Sequence, residues 1–565
     1  MVNLKVNNIN VSVPDGTTIL EASKIAGFSI PKLCHLKDLN EIGACKICSI
    51  EVEGIDRLVT SCNNIVTEGM SIFTNTQKVR EARKINISLI LSQHNFQCAT
   101  CVRSDNCLLQ KVATDSGILE IPYKNKFKKE KWNQNFPLIK DAEKCIKCMR
   151  CIQVCDKIQS LNVWNLVGTG SRTTVGIKGN CSIEDSNCSL CGQCIVNCPV
   201  GALRERNDVD KIFDALNDPN ITTIVQIAPA IRTSWAENYP NDETLNINKL
   251  VYALKKIGFN YVFDTTFSAD LTIMEEANEL LKKLNHRETE KLPLFTSCCP
   301  GWIRFLKSEF PHMVDNLSSA KSPQQMFGSL AKTYFADKLN LDSKKIFSIS
   351  IMPCLAKKDE CEHDFINEDE KAVDVVITTR ELNRILRSEQ IIPKELKEAE
   401  FDFPAKNTSG SGVIFGSSGG VTEAALRTAY FAITGSNPPP DSFDILRGNN
   451  PWKELTIDIE NIHLNAAIVN GLGNARKLLE SLDKGVVSYD FVEVMACPGG
   501  CVCGGGQLIH ESIDKFNNRS SILYNIDKNA SIRFSHENPD VLKCYEEFLN
   551  SPLSHTAHKL LHHKH

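Results

Sequence analysis

Cysteines are the residues of this chain best suited to do chemistry, and they fall in tight groups. The segment from Met495 to Gln507, MACPGGCVCGGGQ, places Cys497 and Cys501 in a glycine-rich run. Glycine is conformationally permissive and Pro498 lacks a backbone donor, so a regular helix or strand is disfavoured. Iron–sulfur clusters need thiolates and close backbone N–H groups, and this composition can provide both. The alternative is a glycine-rich surface turn with incidental cysteines.

Two further groups of cysteines have the bacterial ferredoxin spacing C-x2-C-x2-C-x3-C, which is highly specific for [4Fe–4S] clusters. In two-cluster proteins the fourth cysteine of such a run ligates the other cluster. We therefore predict that Cys198 completes the cluster of the first run and that Cys155 completes the second. The first run is Cys145, Cys148, Cys151 and Cys155, and the second is Cys188, Cys191, Cys194 and Cys198.

A fourth group near the N-terminus predicts a [2Fe–2S] cluster. As in plant-type ferredoxins, it has one cysteine, a close C-x2-C pair and a distant fourth cysteine, although its first gap is ten residues instead of four. A zinc site is the alternative, because spacing alone does not distinguish tetrahedral sulfur sites. The predicted ligands are Cys34, Cys45, Cys48 and Cys62.

A histidine and three cysteines follow a predicted helix over residues 79–93. His94, Cys98, Cys101 and Cys107 have the spacing His-x3-Cys-x2-Cys-x5-Cys. An imidazole in place of one thiolate makes a site less anionic and should raise the reduction potential of a cluster. We predict a [4Fe–4S] cluster with one histidine ligand, with a zinc site as the alternative.

Beyond about residue 210 the sequence predicts α/β organisation with largely parallel sheets. Apolar runs typical of buried strands alternate there with amphipathic helices. Four of these runs are 222–229, 345–353, 374–379 and 466–471. Sites in such folds form at the carboxyl ends of strands. Cysteines follow strand-like runs in three remote segments, which can therefore converge on one pocket. They are Cys298 and Cys299, Cys354, and Cys497 with Cys501.

Length and composition restrict the function classes. The 565 residues suffice for several domains, and a net charge of −4 favours neither nucleic acid nor a membrane surface as a partner. No apolar run has transmembrane length and the N-terminus does not resemble a signal peptide, so we expect a cytoplasmic protein. Twenty-four cysteines in such a protein indicate metal ligation instead of disulfides.

Two basic segments allow two interpretations each. A lysine-rich stretch could dock an acidic redox partner or form a solvated linker. Its lysines are Lys124, Lys126, Lys128, Lys129 and Lys131. The C-terminal HTAHKLLHHKH could bind metal, although histidines separated by apolar residues at helical spacing favour a solvated helix end.

The predicted fold is multidomain, α+β followed by α/β. We expect a β-grasp [2Fe–2S] ferredoxin-like domain over 1–78, a small cluster domain with one histidine and three cysteine ligands over 79–124, and a bacterial 2[4Fe–4S] ferredoxin-like domain over 125–208. A large two-lobed α/β catalytic domain is expected over 209–565.

Three motifs in the last domain resemble the signature of the [FeFe]-hydrogenases. They are TSCCPGW, MPC-x2-K-x2-E and MAC-x-GGC-x2-GGGQ, and the similarity extends over essentially the whole chain. The array of N-terminal cluster sites resembles the long monomeric clostridial form. The resemblance implies an H-cluster, in which a [4Fe–4S] cluster joins a two-iron subcluster with CO, cyanide and azadithiolate ligands. Its implied cysteine ligands are Cys299, Cys354, Cys497 and Cys501, with Cys501 bridging the two parts.

The same resemblance implies a proton relay that runs outward from Cys298 through Glu276, Ser318 and Glu279. The two glutamates are three residues apart in a predicted helix and share a face. A thiol, a hydroxyl and carboxylates can each give and regain a proton. The alternative is that the glutamates form a solvated helix face. At the outer end this chain has Lys283 where the family usually has arginine.

The resemblance also implies the residues that surround the two-iron subcluster. Lys357 would hydrogen-bond a cyanide ligand. The implied lining residues are Pro229, Ala230, Ser322, Gln324, Met352, Phe415 and Met495.

The implied activity is reversible H2 formation from protons and the electrons of reduced ferredoxin. Implied partners are a ferredoxin or flavodoxin-type carrier and hydrogenase maturation proteins, and a monomer is expected. Three alternatives are an electron-transfer subunit similar to that of respiratory NADH dehydrogenase, a cytosolic iron–sulfur assembly factor and an H2-sensing hydrogenase relative. The first lacks the three motifs, the second lacks the N-terminal cluster array, and the third carries a sensory domain that we do not find in this sequence.

Overall fold

The structure is a computed structural model that describes residues 1–104, 106–124, 130–239, 245–367, 369–439, 441–509 and 515–563. Lys126, Lys128 and Lys129 of the predicted docking patch lie outside these residues. The chain divides into two compact units. The first comprises Met1–Lys157, Asn162–Ser186 and Gln193–Arg204, and the second comprises Ile158–Leu161, Asn187–Gly192 and Glu205–His565. The division into four domains is finer than this and stays a prediction.

The first unit contains short strands and helices. Its strands are β1 (Val2–Val6), β2 (Ile9–Val13), β3 (Ser49–Val52), β4 (Ile55–Thr60), β5 (Ser71–Phe73), β6 (Leu138–Lys140), β7 (Trp164–Val167), β8 (Thr174–Ile177) and, at its end, β9 (Leu203–Glu205). Its helices are α1 (Ile19–Ile25), α2 (Gln77–Leu91), α3 (Leu108–Asp115), α4 (Arg150–Gln153) and α5 (Gln193–Val196).

A five-stranded mixed sheet organises the N-terminal part of this unit. Its strand order is β2-β1-β5-β3-β4, and β1 and β5 are parallel while the other pairs are antiparallel. Burial alternates along β1, with Val2, Leu4 and Val6 inward, as expected for a strand with one covered face. Helix α1 begins after Thr18, whose side chain accepts a hydrogen bond from the backbone of Glu21. This sheet with one helix is the arrangement expected for a β-grasp domain.

The second unit contains ten strands and fourteen α-helices within the described residues. Its strands are β10 (Thr222–Ile227), β11 (Tyr261–Asp264), β12 (Leu294–Phe295), β13 (Ile346–Met352), β14 (Phe365–Asn367), β15 (Glu370–Lys371), β16 (Val375–Thr378), β17 (Trp452–Ile459), β18 (Ile462–Asn470) and β19 (Phe491–Met495). Its helices are α6 (Val209–Asn217), α7 (Ile247–Ile257), α8 (Thr266–Asn285), α9 (Pro300–Glu309), α10 (Pro323–Ala331), α11 (Tyr334–Lys338), α12 (Lys357–Glu360), α13 (Thr379–Ser388), α14 (Gly410–Ile414), α15 (Gly420–Thr434), α16 (Leu472–Asp483), α17 (Lys515–Asn529), α18 (Pro539–Cys544) and α19 (His555–Leu561).

Two four-stranded sheets form the framework of the second unit. The first has the order β11-β10-β13-β16 and is parallel throughout. The second has the order β12-β19-β18-β17, with only β17 antiparallel to its neighbour. Strands β16 and β19 are buried along their whole length, as expected for strands covered on both faces. The predicted α/β organisation with largely parallel sheets is therefore confirmed.

Helix α8 crosses the interior of this unit. Thirteen of its twenty residues are buried, including the carboxyl-bearing Glu275 and Glu276. An aromatic group packs around its first turns, and its members are fully buried: Phe263, Phe267, Phe327 and Phe335. The rings of Phe263 and Phe335 have centroids 4.9 Å apart. This packing fixes the helix that carries the predicted relay glutamates. Within the described ranges, no helix combines the length and the apolar character needed to cross a bilayer.

Replacing Phe335 with alanine should destabilise the second unit. The ring is fully buried and contacts three other aromatic rings of the group, so its removal leaves a cavity that costs about 3–5 kcal/mol. Thermal unfolding followed by circular dichroism measures the change. Phe365→Ala is the control, because that ring is 44 % exposed, and we expect it to unfold at nearly the wild-type temperature. Equal melting temperatures for the two variants would contradict this account of the packing.

Candidate functional site

Four cysteines from three remote segments lie close together in the second unit. Cys354 lies two residues beyond β13 and Cys497 two residues beyond β19, while Cys299 precedes α9 directly. Negative charge on Cys299 or Cys354 raises the pKa of Cys501, and the other three cysteines act on Cys497 in the same way. The cysteine-bearing strand ends therefore converge, as predicted.

Burial is the main influence on these thiols. It raises the pKa of Cys299, Cys497 and Cys501, and it raises that of Cys354 to about 12. Thiols in such surroundings stay protonated unless a cation compensates the charge of the thiolate. Iron provides that charge in a cluster, so this donor set is suited to a cubane.

Backbone N–H groups point at two of these thiols. The N–H of Ala496 donates to Cys299 Sγ at 3.4 Å, and the N–H groups of Trp302 and Gly301 also lower the pKa of this thiol. The N–H groups of Lys357 and Ala356 act in the same way on Cys354. Such N–H donors stabilise thiolate ligands, because they complete the set of bonds around the metal-bound sulfur.

The glycines of the third motif are required by close contacts with the second. A Cβ at Gly504 would lie 2.1 Å from the carbonyl oxygen of Pro353, the residue before Cys354. A Cβ at Gly506 would lie 2.9 Å from the carbonyl carbon of Pro353. No side chain fits there, so the glycine run allows two cysteine-bearing segments to touch.

Cys298 and the relay residues form one buried row. The pKa of Cys298 is raised well above its ordinary value by burial and then by the charge of Glu276. Glu276 Oε1 accepts the backbone N–H of Ser297 at 3.3 Å. The hydroxyl of Ser318 lies near Glu276 and donates to Glu279 Oε2 at 2.7 Å. Glu276 is fully buried, so the alternative of a solvated helix face is wrong for this residue.

The two glutamates differ in their surroundings. Burial, together with the neighbouring charge of Glu279, raises the pKa of Glu276 to about 8, although the hydrogen bond from the Ser297 backbone opposes this shift. Glu279 is only half-buried. Beyond it, Lys283 forms an ion pair with Glu290 at 3.2 Å. The inner carboxyl is therefore protonated at neutral pH and can donate a proton.

Lys357 is held between the cysteine segment and a carboxylate. Its Nζ donates to the carbonyl oxygen of Cys298 at 3.2 Å and to Glu360 at 2.9 Å. Burial alone lowers the pKa of Lys357, but the charge of Glu360 reverses this effect and raises it overall. Glu360 also accepts hydrogen bonds from Ser322 and Gln324. One carboxylate thus positions three residues that the sequence analysis assigned to the pocket.

The other predicted lining residues are all buried. Phe415 and Met495 share an apolar cluster with Cys298, against which Cys299 and Cys501 pack. Pro229 and Ala230 form the turn after β10, Ser322 and Gln324 begin α10, and Met352 ends β13. The structure therefore brings Phe415 and Met495 to the thiols directly, whereas Met352 packs in the core of the first sheet.

The N-terminal cysteines of the first unit form two thiol pairs. Cys34 is hydrogen-bonded to Cys45, and Cys48 to Cys62. Within each pair the shared proton lowers the pKa of one thiol, to about 6 for Cys45 and about 7 for Cys48. Two pairs of thiols match a cluster with two irons, each of which takes two cysteines.

His94 is placed as a neutral ligand would be. Its Nδ1 lies 2.9 Å from the carbonyl oxygen of Lys144, which can only accept, so Nδ1 carries the hydrogen and Nε2 keeps a lone pair. Burial lowers the pKa of His94, which favours the neutral imidazole. One of the cysteines predicted to share a cluster with His94 is Cys101, which packs closely on Gly201. A Cβ added at Gly201 would lie 2.5 Å from the sulfur of Cys101.

One predicted ferredoxin set lines a single cavity in the first unit. Cys145, Cys148, Cys151 and Cys198 all face this cavity, whose other walls are mainly apolar. The structure thus brings Cys198 to the first run, as the crossed pattern predicts. The second set, Cys155, Cys188, Cys191 and Cys194, draws residues from both units and stays a prediction. In the described parts of the chain, no three His, Cys, Asp or Glu side chains surround the position of a single metal ion. A multi-iron cluster does not need such a group, because its ligands bind several different iron atoms.

Comparisons with known proteins agree with this geometry. The family model "Iron only hydrogenase large subunit, C-terminal domain" matches residues 221–505, and "Iron hydrogenase small subunit" matches 513–565. Iron hydrogenase 1 of Clostridium pasteurianum is 38 % identical over 99 % of both chains. This chain belongs to the iron-only hydrogenase family.

Two other relatives match this hydrogenase over different shares of its length. The NADP-reducing hydrogenase subunit HndD of Solidesulfovibrio fructosivorans is 40 % identical over 100 % of this chain and 98 % of its own. A solved [FeFe]-hydrogenase from Chlamydomonas reinhardtii is 40 % identical with a TM-score of 0.57, and covers 63 % of this chain and 98 % of its own.

The N-terminal part of the hydrogenase matches three iron–sulfur families. A 2Fe-2S iron-sulfur cluster binding domain matches residues 1–77, and a 4Fe-4S binding domain matches 182–204. The model "NADH-ubiquinone oxidoreductase-G iron-sulfur binding region" matches 83–122, the segment that contains His94.

The sequence analysis assigned no role to three positioning residues of the hydrogenase, although two of them, Glu360 and Gln507, end the second and third motifs. Glu360 lies three residues after Lys357 on α12, a spacing that could have indicated the ion pair. Gln507 accepts hydrogen bonds from Ser234 and Thr379 and donates to Ala230. Asn40 donates to the carbonyl oxygens of Cys34 and Cys148. The partners of Gln507 and most of those of Asn40 could not be predicted from the sequence, because they are remote along the chain.

Replacing Glu276 with glutamine should reduce H2 formation by about 100-fold or more. Glutamine can keep the bond to Ser297 but cannot exchange a proton. In the wild type, the rate should fall as the pH rises through about 8, because Glu276 is then ionised and cannot donate. Gas chromatography of H2 between pH 5.5 and 9 measures both effects. Glu288→Gln, at an exposed position, is the control.

Stability provides a second measurement on Glu276→Gln. The folded protein keeps this proton up to about pH 8, whereas an unfolded glutamate loses it near 4.5. The contribution of the carboxyl to stability is therefore full below pH 4.5 and is lost as the pH rises to about 8. The melting temperature of the variant should fall less steeply over this range. A slope unchanged from the wild type would contradict the raised pKa.

His94→Ala should change one accessory cluster only. Loss of the imidazole removes a neutral ligand, so the midpoint potential of that cluster should shift while the other cluster signals stay constant. Electron paramagnetic resonance during a redox titration measures this. The control is His312→Ala, because the side chain of His312 is 58 % exposed. If turnover failed while all cluster potentials stayed constant, the ligand assignment would be wrong.

Proposed function

We propose that this hydrogenase catalyses reversible formation of H2 from protons and the electrons of reduced ferredoxin. The observation that carries the proposal is the buried row of Cys298, Glu276, Ser318 and Glu279, which ends beside the four-thiol site. A purely electron-transferring subunit has no use for such a row, so the row supports turnover.

The thiols of the second unit would hold an H-cluster. Cys299, Cys354, Cys497 and Cys501 would ligate its [4Fe–4S] part, and Cys501 would bridge to a two-iron subcluster with CO, cyanide and azadithiolate ligands. This group supplies the redox chemistry that joins protons and electrons as H2. The other groups would be one [2Fe–2S] cluster and three accessory [4Fe–4S] clusters, one with His94 as a ligand. Maturation proteins would deliver the two-iron part.

The side chains of the row move protons one at a time. Cys298 gives the proton of its thiol to the pocket and regains one from Glu276. Glu276 is in turn reprotonated by way of the Ser318 hydroxyl, and Glu279 supplies that hydroxyl with a proton. Each group donates one proton and accepts one, so the row returns to its starting state. The reverse direction uses the same steps for H2 oxidation.

Neighbouring residues orient the pocket and keep water out. Lys357 is fixed by Glu360 with its ammonium group beside the Cys298 carbonyl, where it can donate to an anionic ligand such as cyanide. Phe415 and Met495 form an apolar wall beside Cys298. In a site without free water, donors and charges act more strongly.

Contacts within each unit support a route for electrons. In the first unit, Asn40 links the backbone next to Cys34 with that next to Cys148. In the second unit, the thiol of Cys497 lies 3.6 Å from the carbonyl oxygen of Cys191. Gly192 and Gly505 touch there, and a Cβ at Gly192 would lie 2.8 Å from Gly505 Cα. These contacts support a route along which electrons would pass between successive clusters.

The electron carrier has two candidates. A small acidic ferredoxin or flavodoxin would suit the lysine-rich stretch that begins at Lys124, and the protein would act as a cytoplasmic monomer. The second candidate is a partner subunit that exchanges electrons with NADP, because a relative named NADP-reducing hydrogenase subunit is 40 % identical over the whole chain.

The test uses protein that is matured and purified without oxygen. Infrared bands of CO and cyanide should appear, and H2 should form with reduced ferredoxin but not with NADPH alone. Cys298→Ala should keep all cluster signals and infrared bands but lose at least about 99 % of H2 formation. Cys181→Ala, at an exposed position outside the motifs, should stay active.

Three other outcomes would overturn parts of the proposal. Absence of both the infrared bands and H2 would overturn the hydrogenase activity. Activity that needs an NADPH-linked partner and ignores ferredoxin would overturn the carrier. Full activity of Cys298→Ala would overturn the relay.

A further inference from the structure

The row described above needs a connection from Glu279 to solvent. Lys283, one turn further along α8, is engaged with Glu290. The other neighbours of Glu279 are Ser318 and Ser319. The backbone N–H of Ser319 donates to both carboxylate oxygens of Glu279, at 3.3 and 3.2 Å. Ser319 is therefore one residue through which a more distant group could reach this carboxylate.

The C-terminal strap, residues 561–563, lies along this serine. Lys321 N–H donates to the carbonyl oxygen of Leu561 at 2.7 Å, and His563 N–H donates to that of Ser319 at 2.9 Å. Ala320 and His562 are paired as in an antiparallel bridge. The strap is thus aligned with residues 319–321, which follow the relay residue Ser318.

His562 contacts Ser319 with its imidazole. Its Nδ1 lies 2.9 Å from Ser319 Oγ and its Nε2 lies 2.9 Å from Glu275 Oε2. Glu275 also accepts from Tyr545 Oη and from the N–H of Leu553, so it acts as a carboxylate acceptor. Nε2 therefore carries a hydrogen, and Nδ1 is free to accept a proton from Ser319 or, once protonated, to return it.

A second histidine connects this imidazole with the surface. The rings of His558 and His562 have centroids 4.3 Å apart. His558 is exposed on α19, whereas only 7 % of His562 is exposed. The charged groups that face the pair are Glu275, Glu279 and Lys282 of α8. Burial, and after it the neighbouring His562, lowers the pKa of His558.

We propose that His562 is the outer proton-exchange group of the relay, passing protons between exposed His558 and Glu279 through the Ser319 hydroxyl. In the inward step, protonated His562 gives its Nδ1 proton to Ser319 Oγ, and the hydroxyl gives its own proton to the Glu279 carboxylate. One rotation of the Ser319 side chain carries the hydroxyl between the two partners. While the Ser319 hydroxyl is turned away, His562 regains a proton at Nδ1 from the adjacent ring of His558, and His558 regains one from solvent.

This inference rests on the proposed hydrogenase turnover and gives a use to histidines that sequence reasoning placed in a solvated helix end. It also explains why an imidazole is placed there. A histidine is the side chain that changes charge between about pH 5 and 8, the range in which a neutral-pH proton carrier must work.

The test compares His562→Gln with His555→Gln in matured enzyme. Glutamine keeps a polar side chain but cannot carry a proton, so H2 formation should fall by about tenfold or more. The dependence of the rate on pH should change as well, because protons must then reach Glu279 by another route. His555 is exposed on the same helix, and its variant should stay within about twofold of the wild type, a margin well below one proton-transfer contribution. Infrared bands and cluster signals should be unchanged in both.

Two further variants keep the test decisive if His562→Gln folds poorly. Ser319→Ala removes the hydroxyl but keeps the N–H groups that hold Glu279, and it should show the same loss and the same altered pH profile. In His562→Ala, added imidazole should restore H2 formation, as it should not in Cys298→Ala.

The proposal is overturned if His562→Gln or Ser319→Ala keeps the wild-type rate and pH profile, or if imidazole restores nothing. Those results leave the hydrogenase itself intact, whereas a wild type without H2 formation would overturn the proposed function.

Discussion

The repulsion between buried thiolates is the constraint on which the catalytic unit depends. In addition to burial, Cys299 raises the pKa of Cys354, and Cys299 and Cys354 together raise the pKa of Cys497 and Cys501. Neighbouring thiolates repel one another and do not stabilise the fold unless a cationic group binds between them. The two parallel sheets supply the rigid strand ends that hold them, and the backbone N–H donors around Cys299 and Cys354 make each thiolate less costly.

The same fold separates protons from electrons. The relay runs from Cys298 along one face of α8 to Glu279, whereas the thiol of Cys497 faces the loop that carries Cys191. Because the two routes leave the thiol site through different elements, each can be tuned alone. A buried carboxyl with a pKa of about 8, as in Glu276, exchanges protons near neutral pH more readily than an ordinary glutamate.

Much of this could be predicted from the sequence, and the missed parts share a physical reason. Apolar runs followed by cysteines are local patterns, so β13 and β19 and the thiols after them, Cys354 and Cys497, were placed correctly. The glutamate pair on α8 follows from helical periodicity, but burial does not, and the pattern alone allowed a solvated face. Gln507 bonds to a residue 128 positions away and Asn40 to one 108 positions away. Strand β17 was missed, although its alternating polar and apolar residues are typical of a half-exposed strand, because it lacks the continuous apolar run that marked the buried strands.

The two ends of the relay differ in how tightly their side chains are packed. At the inner end, Cys298, Glu276 and Ser318 are confined by the packing of α8 against α10 and α15, so a different side chain would leave a cavity or an unpaired polar group. At the outer end, Glu279 is half-buried and several groups could exchange protons with it. Lys283 is held in an ion pair with Glu290, whereas the imidazole of His562 lies between a carboxylate and a hydroxyl, with one ring nitrogen facing each. The outer end of the relay needs a group that can accept a proton and pass it on, and the proposed role of His562 in the C-terminal strap meets that need.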